Sequence, residues 1–141
     1  MKLNRISIIF CLLGLTMPIL ASTLTGNTEF LKRNYEGAIV EYKKSIESTD
    51  SIKSNRQAYA LFRIGECYSY LNKPEEAVNY LNNAITSGYQ EADAYMVYGK
   101  NLQKLGKYQL AKAAFEEVER LQPTNPQVKN LKALCDFALR F

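Results

Sequence analysis

Residues 58–91, AYALFRIGECYSYLNKPEEAVNYLNNAITSGYQE, are followed directly by residues 92–125, ADAYMVYGKNLQKLGKYQLAKAAFEEVERLQPTN. Aligned end to end, the two stretches share six identical positions and keep apolar side chains at several others. The identical pairs are Ala58 and Ala92, Ala60 and Ala94, Gly65 and Gly99, Leu71 and Leu105, Lys73 and Lys107, and Ala77 and Ala111. A period of roughly 34 residues is typical of stacked helix pairs that bury their apolar faces only against neighbouring pairs.

Within each stretch the apolar residues follow the spacing of two helices. The first helix, predicted at about residues 57–71, has apolar or small residues at i, i+3, i+4 and i+7, namely Leu61, Ile64, Gly65 and Tyr68. Pro74 suits the first turn of a second helix, and Gly88 suits its end. Because Gly65 and Ala77 are small, two antiparallel helices can approach closely where they cross.

The same pattern extends in both directions along the chain. Upstream, Tyr35, Ala38 and Tyr42 have the same mutual spacing as Tyr108, Ala111 and Phe115, at an offset five positions longer than two repeats. These additional residues fit the polar loop that follows residue 46, where an insertion costs little. The sequence therefore predicts an all-α fold, an α-solenoid of about three helix pairs with a C-terminal capping helix. The predicted units are about 26–49, 58–91 and 92–125, with a short first helix at 28–34 and the cap at 126–140.

The N-terminus has the pattern of a secretory signal peptide. Lys2 and Arg5 precede an apolar run over residues 6–15, and Ala21 ends a short segment that contains Pro18. Such a run is too short to cross a bilayer comfortably, since a spanning helix needs roughly 20 residues. We expect cleavage after Ala21, which leaves a domain of residues 22–141 with no stable membrane span. An uncleaved anchor is the alternative.

Composition argues against several classes of function. The chain carries 18 Lys and Arg against 14 Asp and Glu, and removal of residues 1–21 leaves 16 against 14, a net charge of +2. This balance gives no electrostatic reason to expect a nucleic acid partner. The chain has no histidine, the residue used most often as a general base and metal ligand. We therefore expect no enzyme activity, no cofactor and no metal site.

Cys67 and Cys135 are separated by twice the repeat length. They thus occupy equivalent positions two units apart, nearly 20 Å from one another at roughly 9 Å per helix spacing. A disulfide requires Cα atoms within about 7 Å. We expect two buried thiols; a bond between two molecules is the alternative.

The repeated residues resemble the tetratricopeptide repeat over about residues 34–141. They include Leu61, Ile64, Gly65, Tyr68, Ala77, Leu81 and Ala84, and then Tyr95, Tyr98, Gly99, Leu102, Ala111, Phe115, Val118 and Pro123. Leu61 and Tyr95 replace the usual tryptophan, and Tyr89 replaces the closing proline of the middle unit.

A second, weaker resemblance rests on residues 131–138, LKALCDFA. They are similar to the N-terminal repeats of peptidoglycan-associated, OmpA-type envelope proteins of Bacteroidetes, which serve the type IX secretion and gliding machinery. The propeller-like and OmpA-like portions of those proteins are absent here.

The resemblance to the tetratricopeptide repeat implies a concave groove lined by the first helix of each unit, and the phase of the repeat predicts which residues face it. The candidate binding residues are Tyr59, Phe62, Glu66 and Tyr70 in the middle unit and Met96, Lys100 and Lys104 in the next. Apolar groups beside lysines suit a peptide or a partner helix that carries a carboxylate. The alternative is that Phe62 and Met96 pack between units and that the lysines are ordinary surface charges. The family's clamp for C-terminal carboxylates uses Lys and Asn where Phe62 and Glu66 stand, so a receptor for chaperone tails is not expected.

Together these features favour an exported, non-enzymatic scaffold, periplasmic or associated with the cell envelope, that docks a protein or peptide partner in its groove. The alternative is the N-terminal portion, or a stand-alone relative, of a larger OmpA-type envelope protein. The chain ends at Phe141 immediately after an apolar helix, and this feature suggests the alternative.

Overall fold

The computed structural model describes residues 21–47 and 55–141. Over these residues it contains seven helices and no strand. The first, α1, covers residues 21–31, followed by α2 (Tyr35–Glu47), α3 (Asn55–Tyr70), α4 (Pro74–Thr86), α5 (Ala92–Lys104), α6 (Tyr108–Leu121) and α7 (Pro126–Ala138). From α2 to α7, each helix packs against the next along the chain. The all-α solenoid predicted from the repeat is therefore confirmed. The predicted signal peptide, apart from Ala21, lies outside the described residues.

Three equivalent turns join the two helices of each unit. Each turn contains one residue with positive φ, namely Arg33 (62°), Asn72 (54°) or Gly106 (70°). In each turn a backbone N–H donates to the carbonyl oxygen of the fifth residue before it, as from Lys73 to Tyr68 and from Lys107 to Leu102, both at 2.9 Å. This arrangement ends the first helix and satisfies one of its last carbonyls. The turns therefore fix the antiparallel direction of the second helix.

A glycine marks the crossing point of the two helices in every unit. A Cβ atom on Gly65 would lie 2.6 Å from Cγ of Leu81, and one on Gly99 would lie 2.6 Å from Cε1 of Phe115. In the first unit, a Cβ on Gly26 would lie 2.7 Å from Cε1 of Tyr42. The interval along the chain from the glycine to the large side chain is the same in all three pairs. The missing Cβ lets a large side chain lie directly on the opposite backbone.

The structure corrects the predicted start of the first unit. The short helix expected at residues 28–34 is wrong, because α1 covers residues 21–31 and residues 32–34 form the turn. The first unit, predicted from about residue 26, therefore includes residue 21. The apolar residues of α1 do not form a continuous buried stripe, since Leu24 and Leu31 are 66% and 82% exposed. The sequence of this helix therefore lacks a clear helical period. The sequence signal for the correct register was Gly26. It precedes Tyr42 by the same interval that separates the glycine from the large side chain in the later units.

The core runs between the two rows of helices, and it includes both cysteines. Cys67 and Cys135 are fully buried and free, which confirms the prediction of two buried thiols. On α7, Val128 and Cys135 are buried, as a capping helix requires. Leu134, on the same helix, is 60% exposed and lies outside the core. None of the helices formed by the described residues is both long and apolar enough to span a membrane.

We predict that Gly26→Ala and Gly99→Ala each destabilise the protein. An exposed Gly→Ala change in a helix is stabilising by roughly 0.5–1 kcal/mol, but here the added Cβ meets the ring of Tyr42 or Phe115. Overpacking of this kind costs about 1–3 kcal/mol, so the melting temperature should fall by several degrees, as thermal unfolding followed by circular dichroism would show.

Ala133 provides the matched control, because it follows Gly99 by one repeat length but is exposed on α7. Ala133→Leu should leave the melting temperature nearly unchanged. A stabilising effect of Gly99→Ala would contradict the close approach of α5 and α6.

Candidate functional site

The first helices of the units, α1, α3, α5 and α7, form one continuous surface, which we call the groove face. Their side chains contact one another directly. Tyr59 Oη donates to Asn27 Oδ1 at 3.2 Å, which joins α3 to α1. Asn101 Nδ2 donates to Ser69 Oγ at 2.8 Å, joining α5 to α3. The amide of Gln103 on α5 donates at 3.2 Å to the carbonyl oxygen of Leu131 on α7.

A polar cluster occupies the N-terminal half of the groove face. Arg63 Nη1 donates to Glu66 Oε2 at 2.7 Å, and Arg63 Nε donates to Tyr42 Oη at 3.2 Å. Tyr42 Oη in turn donates to Asn27 Oδ1 at 2.6 Å. The guanidinium carbon of Arg63 lies 3.7 Å from the ring centroid of Phe30. The cluster therefore ties α1, α2 and α3 together.

Burial and charge oppose each other in this cluster. Desolvation raises the pKa of Glu66; the nearby Asp93 acts in the same direction, and the positive charge of Arg63 opposes both. For Arg63, desolvation lowers the pKa, but the hydrogen bond to Tyr42 and the charge of Glu66 outweigh it, so that the net shift is upward. The ion pair is largely shielded from water, with both side chains less than one fifth exposed. It contributes mainly to the structure of the groove face.

Two of the predicted binding residues, Tyr59 and Phe62, belong to an aromatic group with Tyr89. Phe62 is only 3% exposed, and its ring stacks on that of Tyr89 at a centroid distance of 4.6 Å. Tyr59 is half-buried, and its ring meets that of Tyr89 edge to face at 6.0 Å. For Phe62 the structure therefore agrees with the alternative interpretation, in which the ring packs between units and offers a partner little surface.

Three other predicted residues, Tyr70, Lys100 and Lys104, lie in a more open region. Tyr70 is 59% exposed, and Lys100 and Lys104 are also exposed. A pocket of about 190 Å³ lies between α3 and α5 and is lined by Glu66, Ser69, Tyr70, Val97 and Lys100. Met96 is half-buried and packs against the core cluster that α5, α6 and α7 form. The structure therefore separates the predicted residues into a packed group and an accessible group.

Four residues of the groove face were missed by the sequence reasoning. Arg63 and Asn27 belong to the polar cluster, and Leu134 and Phe137 are exposed on α7. The repeat spacing was the available signal for Leu134 and Phe137, since they follow Lys100 and Gln103 by one repeat length. Asn27 was missed because α1 was placed in the wrong register.

Comparison with known proteins agrees with this architecture. Models of the tetratricopeptide repeat match residues 59–87 and 92–125, which are the second and third helix pairs. The chain therefore contains two tetratricopeptide repeats. A search of curated proteins found no match.

Solved tetratricopeptide repeat domains share the fold over most of the chain. The first such domain of Spaghetti (RPAP3), bound to the HSP90 peptide SRMEEVD, is 24% identical with a TM-score of 0.78, and the match covers 89% of this chain and 95% of that one. The second such domain of human RPAP3, in complex with the HSP70 peptide SGPTIEEVD, is 26% identical with a TM-score of 0.74 over 86% and 98%. The C-terminal domain of a putative FK506-binding protein of Plasmodium falciparum is 19% identical with a TM-score of 0.74 over 89% and 91%.

We predict that acidification raises the free energy of unfolding of the wild type relative to that of the Glu66→Gln variant. Because burial raises the pKa of Glu66 in the folded state, the folded state binds more protons than the unfolded state between the two pKa values. The free energy of unfolding of the wild type should therefore rise relative to that of Glu66→Gln as the pH falls from about 7 to about 4, close to the ordinary pKa of a Glu side chain.

Urea denaturation of the two proteins at both pH values measures this difference. Glu76→Gln, which removes an exposed carboxylate from α4, corrects for the general loss of one negative charge. A relative loss of wild-type stability on acidification would show that the attraction of Arg63 outweighs desolvation.

Proposed function

We propose that the protein is an exported, non-enzymatic interaction module that binds a partner of the cell envelope through its groove face. The observation that carries the proposal is the accessible region of Tyr70, Lys100 and Lys104. The ring of Tyr70 and the cation of Lys100 line a pocket on the groove face, and Lys104 is exposed one helical turn further along α5. Two of the solved neighbours were determined with bound peptides, which supports peptide or protein binding as the function of this fold.

The chemistry of the described residues supports a binding role rather than catalysis. Burial raises the pKa of the Cys67 thiol to about 12, so almost no nucleophilic thiolate is present at neutral pH. The charged groups of the polar cluster are paired with one another, as Arg63 and Glu66 are. An acid, a base and a nucleophile in mutual reach, which hydrolysis requires, are not brought together among residues 21–47 and 55–141.

The groove face differs from a clamp for C-terminal carboxylates. At the two positions where the family resemblance would require Lys and Asn, Phe62 is buried and Glu66 carries a negative charge paired with Arg63. A terminal carboxylate would therefore meet an acid and an inaccessible ring. This argues that the partner is recognised by side chains along its length and not by a chaperone-type terminus.

Site-specific photo-crosslinking tests the location of partner binding. A benzophenone amino acid replaces Tyr70 on the groove face or, as a matched control, Leu110 on α6, and the two positions are 59% and 55% exposed. In cells that make the protein, irradiation should produce a discrete adduct from position 70 and none from position 110. Adducts from position 110 alone would place the partner on the opposite surface.

Export is tested by the mass and location of the mature chain. The basic, apolar and small-residue order of residues 1–21 supports removal by a signal peptidase. The mature protein should begin at Ser22, as N-terminal sequencing and intact-mass measurement on fractionated cells would show. A full-length chain in the membrane fraction would favour the uncleaved anchor, and a full-length chain in the cytoplasm would contradict export.

A further inference from the structure

We infer that the partner contributes an extended segment in which one acidic side chain lies between two apolar ones, and that this segment crosses the C-terminal half of the groove face from Tyr70 to Phe137. The inference rests on the proposed function and specifies the chemistry of its partner. It follows from three observations: the occupied N-terminal half, the exposed lysines of α5, and the exposed apolar residues on either side of them.

The N-terminal half has few groups left for a partner. The guanidinium of Arg63 is held by Glu66 and Tyr42 and lies over the ring of Phe30. Phe62 is buried, and the hydroxyl of Tyr59 donates to Asn27. A partner that bound here would have to break contacts within the protein, which would cost free energy.

The middle of the groove face carries an excess of positive charge. Among the described residues Lys100 has no ion pair, and Lys104 has only a long hydrogen bond of 3.3 Å to Asn72 Oδ1. One helical turn separates the two lysines, so they lie on the same face of α5. Glu66 shares the pocket with Lys100, but Arg63 balances its charge. The two lysines therefore select an acidic side chain.

Apolar surface flanks these lysines on both neighbouring helices. On α3, Tyr70 is 59% exposed, with one face of its ring stacked on Tyr35 at 4.8 Å. On α7, Leu134 and Phe137 are 60% and 64% exposed. Contacts of Gln103 with Leu131 and with Cys135 Sγ, at 3.2 and 3.1 Å, place α7 directly beside α5. An order of apolar, cationic and apolar surface is complementary to a segment that is apolar, acidic and apolar.

The helix spacing sets the length of the segment. Adjacent helices lie roughly 9 Å apart, and a segment in the polyproline II conformation rises roughly 3.1 Å per residue with about three residues per turn. Side chains three positions apart then point to the same side and span one helix spacing, so the acid lies about three positions from each apolar residue. This gives a seven-residue pattern with apolar residues at its first and last positions and an acid at its fourth.

A display library of seven-residue peptides, with random sequence and blocked at both ends, tests this inference on the full-length protein. Selection should enrich Asp or Glu at the fourth position and apolar residues at the first and seventh. For one selected peptide, Lys100→Glu with Lys104→Glu should weaken binding at least about tenfold. Leu134→Ser with Phe137→Ser should weaken it by a similar factor without loss of helical content.

The matched control is Lys44→Glu with Lys129→Glu, which makes the same change in net charge at exposed positions on α2 and α7 and should leave the affinity within about twofold. An acid preference that persists after reversal of Lys100 and Lys104 would overturn the inference but not the proposed function. So would selection of binders only from an otherwise identical library whose peptides end in a free carboxylate. The inference also fails if ultracentrifugation finds self-association that the Leu134 and Phe137 substitutions abolish, because a second copy would then cover this surface. Absence of any peptide binding, together with crosslinks only from position 110, would contradict the proposed function itself.

Discussion

The close approach of the two helices at a glycine is the constraint on which the remaining structure depends. In each unit a large side chain, Tyr42, Leu81 or Phe115, lies against a backbone that has no Cβ at that point. Because this contact fixes the separation and rotation of the pair, it also fixes which residues of the first helix point away from the second. The groove face is the surface that remains. Its residues are therefore set by packing on the opposite side of the same helices.

The polar cluster makes the N-terminal half of the groove face chemically different from the C-terminal half. Arg63 and Glu66 would be costly to bury separately, and their pairing with each other and with Tyr42 and Asn27 lowers that cost. The same contacts leave these groups unavailable to a ligand. On α5 the equivalent positions hold Val97 and Lys100, and these two side chains cannot form such a pair. Repeats with one backbone geometry thus present different chemistry along the array.

The similarity to other tetratricopeptide repeat domains shows how the helices stack and says little about which ligand is bound. Similar structures at 24% and 19% identity show that the helix pairs stack in the common way. They carry little information about which side chains face a partner, because recognition resides in residues that the packing leaves free. In this protein the exposed residues on α3, α5 and α7 carry the argument for function.

The repeat allowed much of the fold to be derived from the sequence. Gly65 and Gly99, one repeat length apart, indicated the second and third units, and the same period predicted that Cys67 and Cys135 lie too far apart for a disulfide. The register of α1 was missed because this helix lacks the continuous buried stripe that gives an amphipathic helix its periodic sequence pattern. The phase of the repeat also identified the face on which Tyr59, Phe62 and Tyr70 lie. Only the folded structure distinguished them, since Phe62 meets Tyr89 from the following turn, while Tyr70 stays in solvent. Periodicity is a property of one helix and can be counted along the chain, whereas exposure depends on side chains that other helices bring into contact.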